Sequence, residues 1–150
     1  MKSQNLLAGA LALAMLMGFA AAVNGQEQGP AARKALMTSN VQAFGAIQAI
    51  VGGEGGVADA VAHATTINDN AKRIPVVFDG GVGTGETRAK PEIWTDWDGF
   101  LAAAARLEEE SAKLIEAANS GNLETLTAQF GALGKNACGA CHNAYRGPRT

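Results

Sequence analysis

Cys138-Gly139-Ala140-Cys141-His142 constrains this chain more than any other stretch. Two thiols three positions apart, with an imidazole directly after them, form the attachment pattern of a c-type haem. Each thiol can add to a porphyrin vinyl group and leave a thioether. The next residue then offers a ring nitrogen to the iron. The chain has 2 cysteines, so no others compete for a different use. At about 100° per residue, a helix through this stretch places positions 138, 141 and 142 in a stripe roughly 100° wide. One helical face can therefore hold both thioethers and the axial nitrogen.

Other chemistries fit less well. A thioredoxin-like Cys-x-x-Cys needs a strand–helix–strand context, which the sequence lacks. A structural zinc site usually needs four ligands. The remaining histidine is His63, so zinc would require Cys141 and His142 as adjacent ligands beside it. A disulfide between Cys138 and Cys141 would leave His142 unexplained.

The N-terminus points to the same compartment as the motif. Lys2, an apolar run from Leu6 to Phe19 and then Ala20-Ala21-Ala22 follow the order of a secretory signal peptide. Cleavage after Ala22 or after Gly25 both fit, so residues 1–25 read as signal and 26–150 as one domain. The apolar core is shorter than the roughly 20 residues of a membrane span. Stable membrane association is therefore not expected after cleavage. Covalent haem attachment in bacteria takes place on the exported side of the inner membrane, so the location expected is periplasmic.

With 12 Lys+Arg against 14 Asp+Glu, the chain carries a net charge of −2 and no basic patch that suggests nucleic acid. No serine has a plausible His–Asp pair, and the glycines near residue 80 neither follow a strand nor open a phosphate-binding helix. Neither a hydrolase nor a nucleotide site is expected.

Frequent alanine, few aromatics and short β-branched runs favour packed helices. Pro30 suits the first turn of a helix, along which Met37, Val41, Phe44, Ile47 and Val51 recur at helical steps until Gly52-Gly53. A second helix is expected from Val57 to Arg73, stopped by Pro75. Residues 75–90 read as a loop rich in glycine. A third helix follows Pro91, with Ile93, Trp97, Phe100, Ala104, Leu107, Ser111 and Leu114 on its buried stripe. Asn122 is a good N-cap for a fourth, on which Leu123, Leu126, Phe130, Leu133, Ala137, Cys141 and Ala144 continue one face. The architecture expected is all-α: an antiparallel, up-down four-helix bundle with a covalently bound haem inside.

With those residues in place, the chain resembles the class II c-type cytochromes, the cytochrome c-prime family and its low-spin relatives. That family carries the haem motif on its last helix. The resemblance runs from Arg33 to Arg146. It rests on Arg33-Lys34-Ala35-Leu36-Met37 and Phe44, on Thr87-Arg88-Ala89-Lys90-Pro91-Glu92-Ile93-Trp94, and on Gly134-Lys135 leading into Cys138 through Arg146. It implies one covalent haem c, with Cys138 and Cys141 as thioethers and His142 as axial iron ligand. In cytochromes c-prime the first-helix position facing the iron is usually a bulky apolar residue. The iron is then five-coordinate and open to NO or CO. In the low-spin branch a methionine binds there, and the matching residue here is Met37. By periodicity alone Met37 reads as core filler; the resemblance makes it the second axial ligand. Met/His ligation raises the reduction potential and suits one-electron transfer over ligand binding.

The resemblance also implies Arg33 near the haem propionates, where a surface arginine is the other reading. Lys34 holds a position that is often Gln in the family, and Arg88 lies in a loop expected to cross the haem edge or stand in solvent. Arg146, four residues after His142, matches a basic residue that shields the proximal face. Tyr145 packs on the porphyrin or finishes the core, and Trp94 and Trp97 read as core. His63 reads as a surface residue and Glu108-Glu109-Glu110 as a solvated face. The function expected is electron carriage between redox partner proteins, without enzymatic activity, and a homodimer is compatible with the family.

Overall fold

The computed structural model describes residues 28–148. The signal-peptide reading of residues 1–25 lies outside them. Four long helices follow in order. α1 spans Gly29–Val51 with Pro30 in its first turn. α2 spans Ala60–Asp79 and is entered through a 3-10 turn, Val57–Asp59. A short α3, Glu92–Thr95, precedes α4, Trp97–Asn119. The last helix is composite: α5 (Leu123–Ala132), a π-helical segment (Leu133–Gly139) and α6 (Ala140–Tyr145). As the sequence predicts, the Asn122 side chain caps α5, accepting from the Thr125 amide at 2.9 Å.

Cross-helix contacts fix the directions. Arg33 reaches Val77 while Asn40 meets Asn70, so α1 and α2 run antiparallel. Asn68 bonds Ser111 and Phe78 meets Phe100, which reverses α4 against α2. Gln129 bonds Glu110 and Tyr145 meets Phe100, so the composite helix reverses again. Phe44 on Phe130, ring centroids 4.2 Å apart, closes the ring. This is the expected up-down bundle. Its core is centred on Ile47, Ile67, Leu114, Leu126 and Leu133, each at most 2% exposed.

Three features depart from the sequence-based expectation. Pro75 does not stop the second helix but lies inside it, and the loop starts at Gly80, not at 75. A mid-helix proline costs about 3 kcal/mol. Continuing the helix buries Ile74, Val77 and Phe78, and burial of each such side chain contributes roughly 1.5–3 kcal/mol. Burial wins. The inward face of α1 is rotated by one position: Leu36, Ala43, Ile47 and Ile50 are buried, Met37 and Phe44 flank them half-buried, and Val41 is 70% exposed. Leu123 and Ala144 are likewise exposed on the last helix. The third helix is split at Asp96 (φ −125°, ψ 55°). A Cβ at position 99 would meet the Asp96 carboxylate, which would have to turn aside.

Candidate haem site

The π segment ends at Gly139, between the two cysteines. Such segments add a residue per turn and are frequent at functional sites. Gly139 suits it: a Cβ there would lie 3.2 Å from the Gly134 carbonyl oxygen. Although the helix is not α throughout, Cys138, Cys141 and His142 are all half-buried, while Ala140, Asn143 and Ala144 are exposed. The expected shared face is present. Both cysteines pack against the hydrophobic core and neither is in a disulfide. Burial raises the Cys138 thiol above its ordinary value. Burial, with Cys138 beside it, pushes Cys141 up to about 11.

His142 moves the other way. Burial first, then the positive charges of Arg146 and Arg88, hold its pKa below the ordinary histidine value. The shift favours the neutral imidazole, the form that can bind a metal. Two protonated thiols at three-residue spacing and one neutral imidazole, all on the inward face of one helix, fit a thioether-bound haem. They do not fit a bare zinc ion: among the described residues no group of three or more His, Cys, Asp and Glu could hold a metal.

The loop ahead of α3 straps this end of the molecule. Ala89 and Arg146 form an antiparallel bridge. The Lys90 amide donates to the Tyr145 carbonyl at 3.0 Å and the Gly147 amide to the Arg88 carbonyl at 2.7 Å. The Arg88 side chain donates to the carbonyls of Gly147 and Pro148, and Lys90 Nζ to that of Ala144 at 2.8 Å. The bonds to Ala144 and Tyr145 satisfy carbonyls that a helix end leaves open, and those from the Arg88 side chain hold its charge near His142. Arg88 is half-buried, not the solvent-facing arginine that a loop position suggests. The exposed Arg146 side chain lies one turn beyond His142.

Tyr145 finishes the helix. Its ring stands edge-on to Phe100 at 5.3 Å, and its hydroxyl donates to Asp96 Oδ2 at 2.6 Å. That bond, then burial and the negative charge of Asp96, pushes the Tyr145 pKa up to about 12. The chain has 1 tyrosine, so alkaline absorbance titration reads this group directly. The midpoint is expected near 12, and Asp96→Asn returns it toward the ordinary value of about 10. Because the folded pKa is the higher one, this contact stabilises the fold fully below about pH 10. The contribution disappears as pH rises toward 12. An unmoved midpoint in Asp96→Asn would show that the bond does not form in solution. Nothing in the sequence signals the Asp96–Tyr145 pair, because the partners come from different helices.

The surface reading of Arg33 does not hold: the residue is 4% exposed and holds the end of α2. Nε donates to the Val77 carbonyl at 3.1 Å, and the other nitrogens donate to the carbonyls of Val82 and Gly81. The guanidinium lies between the rings of Phe78 and Trp94, 4.9 and 5.0 Å from their centroids. Burial lowers its pKa. The Trp94 indole adds a bond to the Phe78 carbonyl at 2.8 Å. Arg33→Leu leaves three carbonyls without this donor and is expected to destabilise the protein by about 3 kcal/mol in urea unfolding. Arg33→Lys, a single point donor, recovers part of it. A loss within about 0.5 kcal/mol for Arg33→Leu would refute the capping role. Lys34, next to it, is exposed.

Met37 is half-buried and packed against the core. Its level in the bundle follows from Phe44, which shares its face at i+7. Phe44 touches Phe130, and its Cζ is 3.4 Å from where a Cβ at Gly134 would sit. Seven residues back along α1 is about 10.5 Å. On the antiparallel partner, the same distance carries the level from Gly134 to roughly the Cys138–His142 stretch. By this rise Met37 falls at about the level of the motif. His63 lies in the first turns of α2, half-buried.

Comparison with known proteins agrees with this geometry. The family model described as Cytochrome C′ matches residues 30–146. A cytochrome c-556 of Agrobacterium tumefaciens (strain II Chrys) is 38% identical over 116 residues, covering 76% of this chain and 93% of that protein. A nitric oxide complex of a cytochrome c prime variant from Alcaligenes xylosoxidans superimposes with a TM-score of 0.67 at 30% identity, covering 78% of this chain and 91% of that one. Cytochrome c prime from Shewanella frigidimarina does so with a TM-score of 0.69 at 25% identity, covering 77% and 91%. With its bundle, its haem motif on the last helix and a family match across nearly all the described residues, the chain belongs to the cytochrome c′ family of class II c-type cytochromes and carries one covalent haem c.

Proposed function

We propose that the protein is a periplasmic one-electron carrier whose haem is bound through Cys138 and Cys141, with His142 and Met37 as axial ligands. Two things support this reading: Met37 holds the position that bears the ligand in the resembling low-spin branch, and helix rise puts it at about the level of the Cys138–His142 stretch. The haem supplies the one-electron couple. The residues supply what surrounds it. Burial, then the charges of Arg146 and Arg88, favour the neutral form of His142. Met37 offers a soft, neutral sulfur that needs no deprotonation, a ligand that raises the potential of a haem. The Arg88 strap fixes the end of the helix that carries His142. Export fits the signal-like N-terminus and the haem motif together. Among the described residues no helix is long and apolar enough to cross a membrane.

A second reading has its own support. The similar Alcaligenes protein was solved with nitric oxide. A five-coordinate haem with an open site in front of Met37 would bind NO or CO rather than carry electrons. Optical spectra of purified protein separate the two. The carrier gives a low-spin ferric spectrum with the weak far-red band of sulfur-to-iron charge transfer, and its ferrous form is indifferent to CO. A high-spin ferric spectrum and a rapid Soret shift with CO would establish the gas-binding reading instead.

A further inference from the structure

The outer side of the motif helix carries a feature that haem binding does not use. A shallow groove runs between α4 and the last helix, lined by Arg106, Lys135, Asn136, Gly139, Ala140 and Asn143. It contains two cations and no acid. After Glu124 the sequence has no Asp or Glu at all. We propose that this groove is the face through which electrons leave and enter, and that it receives the acidic surface of a redox partner protein. The proposal rests on haem attachment at Cys138 and Cys141.

Three observations support it. The groove is floored by Gly139 and Ala140, the two residues between the attaching cysteines. With at most a methyl group on each, a partner can approach the backbone that joins the thioether positions, which shortens the electron's path. The charges are available: Lys135 is exposed and has no ion pair among the described residues. Arg106 is exposed, and its charge is felt by Glu110. That carboxylate, however, is itself buried and bonded by Lys113 and Gln129. Glu109, the other acid nearby on α4, is paired with Lys113 at 2.8 Å. The local sign also opposes the whole: the chain's net charge is −2, so attraction of an acidic partner would act at this face and not over the whole surface. An anionic membrane fits less well, since the groove has no aromatic or large aliphatic side chain to insert.

The test uses the ferrous holoprotein and small oxidants as charge probes. Hexacyanoferrate(III) takes one electron from the ferrous iron, leaving ferric protein and hexacyanoferrate(II). Its rate is expected to fall as salt rises, the sign of a positive site, although the protein as a whole is negative. In the Arg106→Glu, Lys135→Glu double variant this rate drops on the order of 10-fold. With the cationic oxidant tris(phenanthroline)cobalt(III) it rises instead. A shifted reduction potential would move both oxidants in the same direction, so opposite changes isolate steering. The single Lys135→Gln variant gives a smaller change of the same sign, and Lys72→Glu on α2 gives none. Independently of redox, titration with poly-glutamate should shift the amide resonances of Gly139, Ala140 and Asn143. Several results overturn the proposal: a rate with hexacyanoferrate that rises with salt, parallel changes with both oxidants, or amide shifts with phosphatidylglycerol vesicles but not poly-glutamate. Failure of the haem reading is recognised separately, since a protein without haem absorbance never enters the kinetics.

Discussion

Met37→Ala is expected to turn a low-spin protein into a high-spin one. The ferric far-red band disappears, the ferrous form binds CO within the mixing time, and the reduction potential falls. Helix rise puts Met37 at about the level of Cys138–His142, and no other sulfur lies on α1. Alanine at that position keeps the helix, because its propensity is the best of all residues. It removes the thioether and opens space in front of the iron. Loss of a methionine ligand removes the influence that raises the potential. Packing alone costs about 2 kcal/mol for truncating a half-buried methionine. Met37→Leu separates ligand from volume, since this exchange usually costs less than about 1.5 kcal/mol. It should reproduce the spectral change of Met37→Ala with little loss of thermal stability. Val41→Ala, one turn along and 70% exposed, should leave the spectrum alone. A Met37→Leu protein that keeps the wild-type ferric spectrum would end the methionine reading and leave the haem attachment standing.

The parts of this site legible in the sequence are those set by local spacing. The Cys138-Cys141-His142 arrangement needs only one helix, and a stripe such as Phe100, Ala104, Leu107, Ser111 and Leu114 declares its own buried side. What could not be read came from contacts between distant segments. Pro75 reads as a stop because its own geometry disfavours a helix. It lies inside one because Ile74, Val77 and Phe78 find a core to enter, and Arg33 and Trp94 bond the carbonyls beyond. Arg33 illustrates the same limit from the other side: charge alone places it in solvent, while the open carbonyls of Val77, Gly81 and Val82 draw it inward. On α1, several apolar residues at helical steps allow more than one facing. The neighbours on α2 and α5 select the one that buries Leu36 and Ala43 and leaves Val41 outside. The π segment is invisible to a pattern that assumes 3.6 residues per turn throughout.

Replacing both cysteines by serine is expected to change how the haem is held without moving its axial imidazole. Serine keeps the size of the side chain and its place on the inward face, but its hydroxyl does not form a thioether with a vinyl group under maturation conditions. Haem in Cys138→Ser, Cys141→Ser protein would be retained by His142, by Met37 and by packing alone, and it should move into acidified organic solvent. Wild-type haem should stay with the polypeptide. The mass of the denatured wild-type chain should exceed that of its apoprotein by one haem, and that of the double variant should not. Stability should respond as well. A covalent group remains with the unfolded chain, whereas a dissociable one stabilises the fold only in proportion to ln(1 + [L]/Kd). The double variant should therefore show a melting temperature that rises with added haem, and the wild type one that does not. Each single serine variant leaves one thioether, so its haem should resist extraction even though one anchor is gone. Haem that stays on the double variant through acid extraction would mean that another residue forms the covalent link, and the reading of Cys138 and Cys141 would have to be abandoned.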